Sequence, residues 1–260
     1  MATRVPIFTY HSIDDSGSVI STSPCRFREQ MQILNERSFE IISLTTLINR
    51  LRDNQHISNR TAVITFDDGF KNFYSVAYRT LMNHGFTATV FLVPGYFGKN
   101  NQWRGQLKGV PVLDLLNWEE VREMADNGID FGAHGMNHTV LPKLTLAEAR
   151  EEIVQSKSII QRYLKKDVRV FSYPYGITNK AILEIVCEEF QGACGTRMNF
   201  VKSDSNIYEL PRIDMFYFSD NARFRFIGAS RFLYFVKLRG ILRSLKGQYT
   251  RLVEYRHERG

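Results

Sequence analysis

Thr65-Phe66-Asp67-Asp68-Gly69 sets two adjacent carboxylates directly after the apolar run 62–66. His134-Gly135-Met136-Asn137-His138 sets two imidazoles four residues apart directly after the run 129–133. Neighbouring carboxylates at the end of a buried segment are costly unless a cation or a proton relieves them. Histidines at i and i+4 reach one side of a helical turn, which suits a single ion. One carboxylate from Asp68 completes a two-histidine, one-carboxylate set that leaves positions open for water and a substrate, as catalytic zinc or iron sites require. Alone, the Asp pair also reads as surface aspartates in a turn, with a functional site only modestly favoured, and an HxxxH pair is common. Together and in this order they are far more specific.

A third group is Phe171-Ser172-Tyr173-Pro174-Tyr175-Gly176, where Pro174 fixes a turn and Gly176 lets the backbone approach a ligand. It reads either as an aromatic turn packing a rim or as part of a site. In the second reading the Tyr175 backbone N–H is an oxyanion donor and the two tyrosine rings are walls of a cleft.

These groups need a scaffold that brings strand ends together. Short apolar, β-rich runs at 5–10, 62–66, 87–93, 129–133, 168–173, 192–195 and 208–213 alternate with helical patterns, the signature of a sheet or barrel of βα units. Seven such strands suit a barrel, whose sites assemble at the C-terminal strand ends. Ser23 before Pro24 and Thr145-Leu146-Ala147-Glu148 mark two helix starts, and further helices are expected near 44–54, 71–84, 118–127 and 178–190. The connection 94–117, with six Gly/Pro breakers and Tyr96, Phe97 and Trp103 among them, has the length of a functional or mobile loop. Tyr96 and Trp103 there either stack on a ligand or pack the loop down.

At 260 residues, with 43% apolar and 23% charged positions, the chain is an ordinary globular protein. Its net charge of +7 is confined to one end: residues 216–260 hold ten Lys/Arg against three Asp/Glu, and residues 1–215 hold 24 of each sign. The body therefore carries no nucleic-acid signal. Three cysteines without CxxC spacing define neither a disulfide framework nor a zinc knuckle. The start lacks a secretory apolar region and no run reaches the length of a membrane span, so a cytoplasmic location is expected.

Over roughly residues 5–215 the chain resembles the polysaccharide deacetylases of the NodB-homology type, carbohydrate esterase family 4. The resemblance implies a single-domain α/β fold, a distorted (β/α)7 barrel over 1–215, followed by a basic helical extension over 216–260. It implies Asp67 as catalytic base and Asp68, His134 and His138 as ligands of a divalent metal, zinc before other first-row ions. Two departures stand out. Gly135 replaces the usual Ser or Thr of the histidine motif, and Ser172 stands where motif three usually has an arginine that orients the base. Arg212 in Leu210-Pro211-Arg212-Ile213 is the candidate replacement, with an ordinary surface salt bridge as the alternative. The late histidine that protonates the leaving amine has no counterpart after Tyr175 except His257 in the tail. Tyr10-His11 instead resembles the poly-N-acetylglucosamine deacetylase subgroup, which implies His11 as general acid; a strand-end capping histidine is the other reading.

The implied activity is metal-dependent removal of an N-acetyl group from an N-acetylated glycan, polysaccharide or lipid-linked precursor, with release of acetate. A sugar O-acetyl esterase and a catalytically impaired carbohydrate binder are the alternatives. A phosphatase using the Asp pair lacks the intervening residue of DxD and leaves both histidines unexplained. The tail mixes apolar and basic residues at helical spacing, so 222–246 either contacts the inner face of an anionic membrane or packs its apolar face on the barrel.

Overall fold

Strands that are apolar on both faces must be covered on both faces, which requires parallel strands joined by crossover helices. The computed structural model, which describes residues 4–106 and 108–257 with side chains as far as Leu245, has this form. His257 therefore lies outside the described side chains. In chain order the elements are β1 (Ile7–Tyr10), β2 (Ser12–Ile13), β3 (Ser21–Thr22), α1 (Pro24–Glu36), β4 (Glu40–Ile42), α2 (Leu44–Arg52), β5 (Thr61–Phe66), α3 (Arg79–Asn83) and β6 (Thr89–Leu92). There follow α4 (Trp118–Asp126), β7 (Asp130–Ala133), α5 (Leu146–Leu164), β8 (Val170–Ser172), α6 (Lys180–Glu189), β9 (Gly192–Cys194), β10 (Ile213–Asp214), α7 (Asn221–Phe224) and α8 (Ser230–His257).

The main sheet runs β10-β1-β5-β6-β7-β8-β9 with every pair parallel. β5 has a divided edge: Thr61–Val63 pair with β4, and Thr65–Phe66 pair with β6. The sheet curls, and residues 207–214 span its two ends. Ala193 N–H donates to Ile207 O, Leu210 N–H to Ala193 O and Arg212 N–H to Arg197 O, after which Ile213 and Asp214 pair with Phe8 and Thr9 of β1. This is the expected distorted barrel in one domain, with six of the seven expected strands in its wall; the stretch expected as a strand over 208–213 is a turn with a single bridge at Leu210, and the strand there is Ile213–Asp214. β4 and the small β2–β3 pair were not foreseen. Runs of two or three residues are too short for a period-2 pattern to register.

Ile7, Val63, Phe91, Val170, Cys194 and Leu210 meet Leu44, Leu47 and Ile48 of α2 in one buried cluster. The N-terminus of α2 is tied to strand starts: Leu44 N–H donates to Thr89 Oγ1 at 2.9 Å and Thr45 Oγ1 to Asp130 Oδ2 at 2.7 Å. α2 thus plugs the N-terminal end of the barrel and leaves the C-terminal strand ends to form a site. Ser23 and Thr145 cap α1 and α5 as expected, the latter with a full Thr145–Glu148 capping box. The helix expected over 71–84 is present from 71 to 83, with its middle, Phe73–Tyr78, wound as a π-helix that runs into α3.

The start of the basic tail is no loose appendage. Met215, Phe218, Phe224, Ile227, Phe232 and Val236 are buried in the same cluster as Phe8 and Phe27. Gln30 of α1 locks this region down: its Oε1 accepts from Tyr10 Oη at 2.7 Å, and its Nε2 donates to Asn221 Oδ1 at 2.8 Å and Phe218 O at 3.2 Å. No helix among the described residues is long and apolar enough to cross a membrane. Gln30→Leu strands a hydroxyl, an amide and a carbonyl in the interior, so it should cost about 2–3 kcal/mol in urea unfolding. A loss within a few tenths of a kcal/mol would show that the tail docks through its aromatic contacts alone.

Candidate active site

Asp67 follows β5 directly, and the next two residues take left-handed backbone conformations, φ 73° at Asp68 and φ 71° at Gly69. Aspartate is among the few side-chain-bearing residues that tolerate this region. The reversal sends two carboxylates that are adjacent in sequence into different surroundings. Asp67 points to the closing segment of the barrel and Asp68 to the loop after β7.

Arg212 grips Asp67 with both ends of its guanidinium. Nη1 donates to Oδ1 and Nη2 to Oδ2, each at 2.7 Å. The same side chain donates through Nε to Gly195 O at 2.9 Å, through Nη1 to Thr65 Oγ1 at 3.3 Å and through Nη2 to Ser172 Oγ at 3.1 Å. At 2% exposure Arg212 is interior, so the surface salt bridge that its sequence position allowed is not what forms. Burial by itself would raise the Asp67 pKa. The Arg212 charge, aided by His134, the Arg212 hydrogen bonds and His11, outweighs it and holds the carboxyl well below the usual aspartate range. His11, just after β1, sets Nε2 3.9 Å from Asp67 Oδ2 on the side that solvent reaches.

Asp68 meets the histidines. Its Oδ1 lies 3.2 Å from His138 Nε2 and 3.5 Å from His134 Nε2. One ligand atom from each of the three residues falls within 4.8 Å of the others, and all three side chains are buried. His134 Nδ1 donates to Ser172 O at 2.6 Å, which turns the Nε2 lone pair toward Asp68. Burial chiefly, opposed by Asp67, pushes the His134 pKa down to about 4, so the imidazole is neutral at physiological pH. Asp68 Oδ1 accepts no hydrogen bond, and His138 Nδ1 has no partner either. A buried, unpaired carboxylate oxygen facing two imidazole nitrogens is a donor set that a divalent cation satisfies, so the residues fit the metal that the sequence implies.

The walls of the site come from the long loop and the third motif. Trp103 lies against His138, ring centroids 4.4 Å apart, and Tyr175 meets the same imidazole edge-on at 4.5 Å. Tyr175 has φ 59°, and its hydroxyl donates to Gly105 O at 3.2 Å, joining the turn to the loop. Trp103 is 3% exposed, so it packs the loop down and offers no open stacking face. The loop 135–137 lacks the usual hydroxyl at Gly135 but has another anchor. Glu152 of α5 accepts from the Asn137 backbone N–H at 2.9 Å and from Asn137 Nδ2. Gly95 N–H donates to Met136 O at 2.9 Å, at a spot where any Cβ would strike Met136 O and Asn137. Sequence reasoning missed Glu152. It sits among other acidic residues in an ordinary helix, and nothing in one sequence separates it from them.

Residues 54–188 match the family model described as polysaccharide deacetylase. Among known proteins, the chain is 26% identical over 211 residues to YxkH of Bacillus subtilis (strain 168), covering 81% of this chain and 71% of that one. It is 24% identical over 203 residues to the poly-beta-1,6-N-acetyl-D-glucosamine N-deacetylase of Staphylococcus epidermidis, covering 74% and 67%. Among solved structures, the Streptococcus pyogenes deacetylase PplD in complex with acetate shares the fold, with a TM-score of 0.72 at 22% identity over 82% of this chain and 93% of that one.

Two outcomes follow from this geometry. Arg212→Met leaves a buried carboxylate without its partner and should cost about 3–5 kcal/mol at neutral pH. Because the folded pKa of Asp67 is depressed, the pair's contribution is full above the ordinary aspartate value, about 3.9, and fades as pH falls through and below it. The stability gap between wild type and variant in urea should therefore narrow from pH 7 to pH 3; an unchanged gap would mean that Arg212 contributes packing alone. Glu152→Ala, which frees the loop between the two histidines, should weaken zinc binding on the order of tenfold in competition with a chelating dye. Unaltered affinity would mean that the loop holds its shape without Glu152.

Proposed function

This chain belongs to the polysaccharide deacetylase family, and from that premise we propose that it removes N-acetyl groups from an N-acetylated sugar in a glycan, releasing acetate and a free amine. It is a hydrolase of carbon–nitrogen bonds other than peptide bonds, and its substrate class is polysaccharide. The observation that carries the finer reading is the division of two adjacent carboxylates. Asp68 joins His134 and His138, and Asp67 is held apart by Arg212 with His11 beside it.

In this reading Asp68, His134 and His138 hold a divalent ion, zinc by its donor set, which when bound lowers the pKa of a water and polarises the acetamide carbonyl. Asp67 takes the proton of the attacking water. Arg212 keeps that carboxylate ionised and aimed, at the expense of basicity. The Tyr175 backbone N–H donates to the oxyanion that forms when the carbonyl carbon becomes tetrahedral. His11, 3.9 Å from Asp67, hands a proton to the departing amine nitrogen, which is otherwise too poor a leaving group. Acetate and the amino sugar result.

The polar cavity of 530 Å³ beside the third motif, lined by Gly176, Thr196, Arg197 and Asn206 among others, supports a hydroxyl-rich ligand on this face. The intact Arg212–Asp67 pair favours an active enzyme over a drifted carbohydrate binder. The domain organisation we assign is a deacetylase unit over 1–215 and a helical extension over 216–260 docked on it. The basic segment 222–246 is assigned a peripheral contact with an anionic membrane.

Asp67→Asn tests the base. Acetate release from N-acetylglucosamine oligomers should fall by at least about two orders of magnitude, while the zinc content measured by elemental analysis stays at the wild-type level. Full activity with zinc still bound would remove Asp67 from the reaction, and loss of zinc would move it into the ligand set.

A further inference from the structure

α8 is apolar on two opposite sides. Phe232 and Val236 turn inward to Phe218, Phe224 and Phe200, and Gly240 sits so close to Met198 O that a Cβ would fall 2.4 Å from it. The outward side is apolar too. Tyr234, Leu238, Ile241 and Leu245, spaced by four, three and four residues, form one stripe, with Leu242 alongside. Tyr234 is 71% exposed and Ile241 59%, and five of the eleven exposed large apolar side chains among the described residues lie in these twelve positions. Core packing explains the inner face, and among the described residues nothing covers this one.

Charge decides what the outer face suits. No acidic residue occurs between Asp220 and Glu254, while Arg223, Arg225, Arg231, Lys237, Arg239, Arg243, Lys246 and Arg251 fall in that span. Several of these cations are engaged: Arg225 pairs with Glu29, Arg243 with Asp214, and Arg239 lies over Tyr217. By helical spacing Arg231, which lies over the Phe226 ring, and Lys237 flank the stripe on either side. A second copy set against this face would bring like charges together, whereas an anionic surface meets both the stripe and its margins.

The course of α8 adds an orientation. Its first turn shares a cavity with Arg4, Pro6 and Asn59, residues that precede β1 and β5, and Arg243 reaches Asp214 at the end of β10. The helix therefore climbs the barrel flank for about 20 Å from the plugged end to the catalytic end. We infer that the outward stripe of α8 seats on an anionic lipid bilayer and lays the barrel on its side, so that the Asp67–Asp68–His134–His138 mouth opens along the bilayer surface. The substrate class this selects, resting on the deacetylase reading, is a glycan attached to lipid.

The test uses the full chain with sedimenting vesicles of phosphatidylcholine alone and of phosphatidylcholine with phosphatidylglycerol. Wild type should sediment with the anionic vesicles and stay in solution with the neutral ones. The triple variant Leu238→Ser, Ile241→Ser, Leu245→Ser should lose on the order of tenfold in vesicle affinity while keeping the wild-type circular dichroism melt. Equal binding by wild type and variant, or no binding by wild type, overturns the docking. So does a wild-type dimer in light scattering that the triple variant dissolves while neither protein binds vesicles. Acetate release separates this inference from the activity it rests on. Both proteins should act equally on free N-acetylglucosamine oligomers, and only wild type should gain on oligomers tethered to lipid in anionic vesicles. Vesicle binding without any acetate release would leave the docking standing and sink the deacetylase reading. A tethered substrate that gives wild type no advantage would overturn the orientation.

Discussion

Everything at the catalytic end is arranged around one buried ion pair, the two-pronged contact between Arg212 and Asp67. Taking both charges out of water is expensive, and their attraction offsets that cost only when the remaining polar atoms find partners as well. Here they do: Thr65, Ser172 and Gly195 accept the other guanidinium protons, from three different strands or strand ends. Arg212 also lies on the segment that bridges β9 and β1, so the residue that fixes the Asp67 carboxylate is carried by the stretch that completes the barrel wall. Barrel closure and the orientation of Asp67 are thus one structural event. A chain that failed to bring 207–214 across the gap would also leave Asp67 buried and unpaired.

The second dependence is backbone reversal at Asp68. Like charges on consecutive residues repel when both point into one apolar region, and the left-handed conformation at Asp68 and Gly69 separates them. One carboxylate receives a permanent cation from the protein. The other faces two imidazole nitrogens with an unfilled acceptor, an environment in which an ion supplies the missing charge. Ser172 links the halves, because its hydroxyl meets Arg212 and its carbonyl orients His134. The two functions proposed for the Asp pair therefore share a hinge point on β8, and neither half can shift without disturbing the other.

The sequence was most legible where a local rule acts. Six of the barrel strands announced themselves as short, mostly apolar runs between helical patterns, and the Asp and His pairs stood out because each follows such a run. Thr145 and Glu148 were readable as a capping box because that device lies within four residues. Contacts made across the fold were not readable. Glu152 supports the loop of His134 and His138 from fifteen residues beyond Asn137, and its chemistry matches that of its exposed neighbours. Trp103 could be placed in a functional loop, but whether its ring would face solvent or His138 depends on tertiary packing alone. The tail defeated a one-face pattern for another reason. A helix apolar on both sides has almost no amphipathic signal, since its two stripes cancel, and packing on the barrel and a bare outer stripe coexist where sequence offered them as alternatives.

Arg212 shows how a missing motif residue can mislead. A search for an arginine ahead of Tyr173-Pro174-Tyr175-Gly176 finds Ser172 and suggests a crippled site. The physical requirement, though, is for a cation at a place and not at a sequence address. Arg212 Nη2 lies 3.1 Å from Ser172 Oγ, so the guanidinium fills space that a larger side chain at 172 would occupy. An arginine on β8 and an arginine on the closing segment are competing solutions to the same problem, and a small hydroxyl residue at 172 is what the second solution needs. The substitution that looks like a loss in one motif is the steric permission for the replacement forty residues later.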